Sequence, residues 1–133
     1  MMKSKKPRKQ RKALYKAPLH KKHNLLSAHL SKALIKQWKK RSLPVRKDDE
    51  VKVMRGKFKG TTGKISKVDL KKLKVYIENV KRRKVSGEEV HVSIHPSNLL
   101  IINPVMDDKM RLKVINRTKK GEKIGKVKKT SSP

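Results

Sequence analysis

Asp48-Asp49-Glu50-Val51-Lys52-Val53-Met54-Arg55-Gly56-Lys57-Phe58-Lys59-Gly60-Thr61-Thr62-Gly63-Lys64-Ile65 is the stretch on which the fold turns. Val51 and Val53 alternate with Lys52 and Met54, the pattern of a strand with one apolar face. Glycines then stand at positions 56, 60 and 63. Glycine reaches positive φ and permits close backbone approach, so the strand runs into a loop that can turn sharply and lie flat against a partner backbone. Lys57 and Lys59 flank Phe58 at the tip of that loop, and a second strand begins beyond Gly63. A phosphate-cradling P-loop needs a glycine five residues before the Gly-Lys pair and Ser or Thr after it. Gly63-Lys64 has Phe58 and Ile65 in those places, and no Gly-x-Gly-x-x-Gly occurs in the loop, which argues against nucleotide binding.

Alternation of this kind recurs downstream. Val75 and Ile77 alternate with Lys74, Tyr76 and Glu78, and Val90, Val92 and Ile94 alternate with His91, Ser93 and His95. Ile65 and Val68 differ in parity, which predicts a bulge or bend between them. Leu99 to Ile102 reads as a last strand, apolar on both faces. Turn residues gather at Gly56 to Gly63, Asp69 to Lys72, Ser86-Gly87 and His95-Pro96-Ser97. Five short strands joined by tight turns within 48–104 predict a mainly β fold, a small closed barrel.

Around this unit the chain is overwhelmingly basic. It holds 40 Lys and Arg against 10 Asp and Glu in 133 residues, a net charge of +30. None of the acids precedes Asp48, whereas 17 basic residues do. Such a chain works beside a polyanion, and nucleic acid is the leading one, since each neutralised phosphate releases condensed counterions. Only 34% of residues are hydrophobic and 3% aromatic, so a large core is excluded. A unit of about 60 residues is marginally stable alone, and a bound partner would stabilise it. Without cysteine there are no disulfides and no thiolate metal ligands. The longest apolar run, Leu99 to Ile102, is far too short for a membrane span, and no apolar run follows the N-terminal charges as in a secretory signal. Pro7 and Pro18 interrupt a Lys-dominated start unlike a transit peptide.

Four segments follow: a basic arm (1–26), a helix and linker (27–47), the β unit (48–104) and a basic C-terminal extension (105–133). The arm, from Met1 to His23 especially, is expected to have little structure of its own because its charges repel. Ser27 is positioned to cap a helix carrying Leu30, Leu34, Ile35 and Trp38, which Ser42-Leu43-Pro44 would end. Trp38 is expected to anchor that helix onto the domain or the RNA surface rather than to stack on bases. Asp107 is the expected cap of a further helix to Arg117, followed by Lys119-Lys120-Gly121 and a basic stretch to Pro133.

The glycine-rich loop string resembles a KOW motif. With it, Leu30-Ser31-Lys32, Arg41-Ser42-Leu43-Pro44-Val45-Arg46-Lys47-Asp48-Asp49-Glu50-Val51 and Val90-His91-Val92-Ser93-Ile94-His95-Pro96-Ser97-Asn98 resemble the archaeal and eukaryotic form of one large-subunit ribosomal protein family. The family is called L-twenty-four in bacteria and L-twenty-six in eukaryotes. The resemblance covers Leu30 to Ile102; beyond it only basic character is shared. It implies an SH3-like barrel, direct binding of 23S-type rRNA, an early assembly role and a position near the nascent-chain exit. Implied partners are large-subunit rRNA, neighbouring ribosomal proteins and exit-tunnel targeting factors, with no cofactor, no membrane insertion and a cytoplasmic location. Other KOW proteins, the transcription elongation factors, normally carry a polymerase-binding domain for which little sequence is left over here.

The expected RNA-binding residues are Arg8, Lys9, Arg11 and Lys12 in the arm, Arg46 and Lys47 before the first strand, and Arg55, Lys57, Phe58, Lys59 and Lys64 around the loop. Lys81, Arg82, Arg83 and Lys84 form a second patch, and His95 is a local or phosphate hydrogen-bonding group. With so few aromatics, the reading favours phosphate and shape recognition over base stacking. His20, His23 and His29 lack acidic or Cys partners for a metal, and His91 and His95 stand too far apart along one strand face to share one. Asp48, Asp49 and Glu50 are expected to start the strand and pair with Arg46 or Lys47. No nucleophile–base constellation is present, so catalysis has no support.

Overall fold

The computed structural model describes residues 4–117. Its centre is one seven-stranded sheet in the order β2-β1-β7-β3-β4-β5-β6. The strands are β1 (Ser27–Leu30), β2 (Ser42–Pro44), β3 (Glu50–Val53), β4 (Thr62–Asp69), β5 (Lys74–Arg83), β6 (Glu89–Ile94) and β7 (Leu99–Asn103). All five strands expected between 48 and 104 form. From β3 to β6 they make an antiparallel meander, and β7 returns to pair with β3.

Burial explains the register. Val51, Val53, Val75 and Ile77 are buried and Lys52 is exposed, as their alternation requires. The parity break in β4 is a register shift between Ile65 and Lys67 opposite β5, which keeps Ile65 in the core and leaves Val68 packed at its margin. In β7, Leu99 and Ile101 are fully buried while Leu100 and Ile102 are half-buried, because this strand lies between β1 and β3. Along β6, Val92 and Ile94 pack on the core but Val90 stays exposed. The sheet has two ends, β2 and β6, so the closed ring expected of the strands is not formed by a continuous hydrogen-bonded ladder.

Three local expectations are corrected. Ser27–Leu30 is a strand, not the first turn of a helix. Leu26, Ala28 and Leu30 alternate and are all buried, and this period of two outweighs the helical spacing of Leu30 with Leu34. The helix, α3 (Lys32–Trp38), starts at Ser31, whose Oγ accepts from the Leu34 amide at 3.5 Å. Lys39, in the left-handed region at φ 53°, ends it, and Ser42-Leu43-Pro44 is β2. Trp38 is buried and fixes α3 to the core, the first of the two anchoring surfaces expected for it.

The arm is also more structured than self-repulsion predicts. It holds α1 (Pro7–Tyr15) and α2 (Leu19–Leu25). Pro7 occupies the first helical position, and Ala, Leu, Gln, Lys and Arg favour a helix locally. Neither helix has a buried residue; Leu26, immediately after α2, is the point at which the arm enters the core. Leu26 also accepts the Val45 amide at 2.9 Å.

After β7 the chain forms α4, residues 109–117. Asp108 rather than Asp107 caps it, its Oδ1 accepting from the Met110 amide at 2.9 Å. The stretch beyond, including Lys119-Lys120-Gly121, lies outside the described residues. Ile115 is buried, and Arg111 reaches from α4 to Asp49, the first residue before β3. The two Arg111 terminal nitrogens donate to the two Asp49 oxygens, each at 2.7 Å. Asp49 also accepts the amides of Arg46 (2.8 Å) and Val105 (2.9 Å). Arg111 donates further to the carbonyls of Val105 (2.7 Å) and Pro44 (3.2 Å). Among the described residues the acidic cluster thus meets Arg46 only through its backbone amide and forms no ion pair with the Arg46 or Lys47 side chain: Asp49 holds Arg111, Glu50 accepts from Asn103 at 2.8 Å, and Arg46 bridges to Asp108 at 2.7 Å.

Arg111→Met would leave the fully buried Asp49 carboxylate without its counter-charge, at a cost of about 3–5 kcal/mol in urea unfolding. Arg46→Met breaks a partly exposed pair and should cost at most about 1 kcal/mol. The Met110 amide holds the Asp108 carboxyl below its ordinary value of 3.8; desolvation opposes this, and the Arg46 charge adds to it. A group depressed on folding stabilises above its unfolded pKa and loses that contribution as pH falls through the folded one. The Asp108 contribution to α4 docking is therefore complete above about pH 4 and lost below it. Acid titration followed on the Ile115 methyl signals should show that limb in the wild type and lose it in Asp108→Asn.

Candidate nucleic-acid interface

The loop between β3 and β4 uses its glycines in two ways. Gly56 and Gly60 have φ of 91° and 90°, where a side chain is strained. Gly60 donates to the Val53 carbonyl at 2.8 Å, Lys59 to Gly56 at 3.1 Å, and Val53 to Thr61 at 2.9 Å, so the loop is hydrogen-bonded across its base. Gly63 serves close approach: a Cβ there would stand 2.9 Å from Ile77 Cγ2 and 3.0 Å from Asn79 Nδ2. The Asn79 amide uses that space to donate to the Thr62 carbonyl at 2.8 Å.

Side-chain direction divides the loop. Lys57 and Lys59 are exposed, whereas Phe58 is half-buried and packs against the core. Phe58 therefore secures the loop from beneath, and the cations stand outward. Arg55 beside them is exposed as well. Lys64 is exposed on β4 and sits opposite Glu50 of β3, so a carboxylate shares its face.

The remaining anticipated residues fall into separate groups. Arg8, Lys9, Arg11 and Lys12 lie exposed on α1, with no acidic residue in its first turn. Lys47 is exposed at the approach to β3, while the exposed Arg46 is engaged by Asp108. On the β5–β6 hairpin Lys81 pairs with Glu89 (3.2 Å) and Lys84 with Glu88 (3.0 Å), which leaves Arg82 and Arg83 without an ion pair among the described residues. His95 Nδ1 lies 2.8 Å from Ser97 Oγ and caps the 3-10 turn Pro96–Asn98, a local hydrogen bond of the kind anticipated. His91 Nδ1 lies 3.3 Å from the Ile77 carbonyl.

Sequence reasoning missed two features. The Asp49–Arg111 clasp joins positions 62 residues apart, and no local spacing announces it. The β4–β5 turn also carries exposed Lys71 and Lys72, held by Asp69 Oδ1 accepting from the Lys72 amide at 3.0 Å. That amide is the main reason the Asp69 carboxyl is held below its ordinary value; desolvation opposes it, and Lys71, Lys72 and Lys67 contribute. Lys71 and Lys72 were legible as charges but not as neighbours of the arm. Among the described residues, no group of three or more His, Cys, Asp or Glu could hold a metal, and no helix is long and apolar enough to cross a membrane.

Fold and surface together define a small basic β-sheet protein whose exposed cations are displayed on a loop, a helix and a hairpin. Two archaeal proteins are similar to it, both called large ribosomal subunit protein uL24. That of Methanosphaera stadtmanae is 49% identical over 114 residues, 86% of this chain and 97% of the relative. That of Pyrobaculum islandicum is 50% identical over 114 residues, 86% of this chain and 93% of the relative. Residues 4–118 match the model of the ribosomal protein family called L-twenty-six in eukaryotes and, in archaea, the P form of L-twenty-four; the chain belongs to that family.

Gly63→Ala forces Ile77 or Asn79 to move and should destabilise the protein by about 1–3 kcal/mol. Thermal unfolding of Gly63→Ala beside an exposed control, Lys57→Ala, checks this; the control should change by less than about 0.5 kcal/mol.

Proposed function

We propose that this protein is a structural component of the large ribosomal subunit, in the cytoplasm, and binds 23S-type rRNA directly through phosphate and shape contacts. The observation that carries this reading is the outward display of cations without side-chain ion pairs among the described residues: Arg8, Lys9, Arg11 and Lys12 on α1, Lys47, and Arg55, Lys57 and Lys59 on the loop. Phosphate contacts of this kind position a protein on RNA and make its affinity steeply salt-dependent. Phe58 acts here through the core, by holding Lys57 and Lys59 in place. Lys64, Arg82 and Arg83 extend the surface. Arg46, Lys81, Lys84 and His95 enter it with some of their bonding capacity already committed.

The bulged β3–β6 meander with β7 returning beside β3 supports an SH3-like reading of the central unit. Family membership supports the more specific roles: early binding during subunit assembly, a place near the nascent-chain exit, and contact with neighbouring ribosomal proteins and exit-tunnel targeting factors. The reading is of a binding protein, and no residue is assigned to catalysis.

Co-sedimentation tests it. The protein should travel with large subunits and stay bound through a wash at about 0.5 M salt, where peripheral electrostatic binders dissociate. In-cell crosslinking should recover large-subunit rRNA; recovery of chromosomal DNA instead would establish a DNA-packaging role and overturn the proposal.

A further inference from the structure

The arm leaves an aromatic ring where folding alone gives no reason for one. Tyr15, the last residue of α1, is 84% exposed, with Leu14 at 47% and Leu19 at 50% beside it. These side chains face a groove of about 690 Å³ between the α1–α2 corner and the β4–β5 turn. That volume lies within the roughly 300–1,000 Å³ typical of small-ligand pockets. Four cations border it: Arg11 from α1, Lys22 from α2, and Lys71 and Lys72 from the turn. Lys22 Nζ donates to the Lys71 carbonyl at 3.3 Å, which ties the two walls together.

A second observation points to an occupant. Helix α1 spans 9 residues, buries none of them, has no side-chain cap and has no acidic residue in its first turn. Helices shorter than about 12 residues are marginal in water without tertiary packing. Its four cations repel one another, so a negatively charged partner would stabilise it. An aromatic face beside two leucines and inside a ring of cations matches a nucleotide, which offers a flat base and flanking phosphates.

We infer that this groove takes one unstacked nucleotide of the bound RNA, with its base against Tyr15 and its phosphates on Arg11, Lys22, Lys71 and Lys72. The inference rests on the rRNA-binding reading above and adds a base-stacking contact to an interface otherwise made of phosphate contacts. It gives the arm a fixed register on the RNA.

The test uses the full chain and an archaeal large-subunit rRNA transcript. Irradiation at short wavelength followed by mass spectrometry should place a nucleotide adduct on Tyr15. Tyr15→Leu keeps apolar bulk at an exposed position; it should weaken binding about tenfold and leave the salt dependence unchanged. The double variant Lys71→Gln/Lys72→Gln should instead lower the slope of log affinity against log salt by about 1–2. Tight binding of Tyr15→Leu, within about twofold of wild type and with no adduct at Tyr15, overturns the groove and leaves rRNA binding standing. A wild-type chain that prefers the transcript no more than an unrelated RNA overturns both. Lysine crosslinking of Lys71 or Lys72 to a neighbouring protein in intact subunits, with no RNA adduct, assigns the groove to an acidic protein segment and also overturns it.

Discussion

A single buried carboxylate holds the ends of this molecule together. Asp49 is inaccessible to solvent and receives four hydrogen bonds, two from the Arg111 guanidinium and two from the amides of Arg46 and Val105. Those donors come from the linker before β3, the segment after β7 and helix α4. A buried ion pair adds little net stability over an apolar pair of the same shape, but breaking one side of it is expensive. Its consequence here is therefore geometric. It fixes where the chain enters β3 and where it leaves β7, and these are the two strands on which the glycine loop and the arm are hung.

That constraint explains how so basic a chain keeps a defined core. Among the described residues charge is kept out of the centre except at this pair, in which only the Arg111 Nε lacks a partner, and the core is aliphatic: Leu26, Leu30, Leu43, Val51, Ile65, Ile77, Leu99 and Ile101. The parallel pairing of β1 with β7 joins residues near 29 to residues near 100, so β1 and β2, ahead of the central unit in the chain, are part of the same sheet. Repulsion among the surface cations is met by the few acids placed beside them: Asp108 on Arg46, Glu88 on Lys84 and Glu89 on Lys81. Where no acid is placed, on α1 and the loop tip, the positive field faces outward.

The central strands were legible in the sequence because each has one buried face and short turns separate them. Even the bulge could be read, since Ile65 and Val68 cannot share a face of a regular strand. β1 was misread because Leu30, Leu34, Ile35 and Trp38 fit a helix. Only burial of Leu26, Ala28 and Leu30 against β7 decides for the strand, and that is a contact made across some 70 residues. The helices of the arm were missed because charge argued for an extended chain while residue preference argued for a helix. Of the interface, the cations could be found by inspection. Phe58 could not be sorted from them: an aromatic between two lysines reads the same whether its ring points in or out. Pairing of Arg46, Lys81 and Lys84 was likewise invisible until the fold brought the acids near.

These placements suggest how affinity and register divide between parts of the surface. Exposed lysines and arginines on flexible stems hold a polyanion without choosing a position along it. Position needs rigid features, and the chain has them in the loop hydrogen-bonded between Gly56 and Thr61 and in the β4–β5 turn fixed by Asp69. The arm is tied to the second of these by Lys22 and to the sheet by Leu26. The cations of α2 are thus held beside the β4–β5 turn, and α1 precedes them in the chain without a buried anchor of its own. The entropy of placing the α2 charges is therefore lost in part when the protein folds, whereas α1, which buries no residue, is left for a polyanionic partner to stabilise.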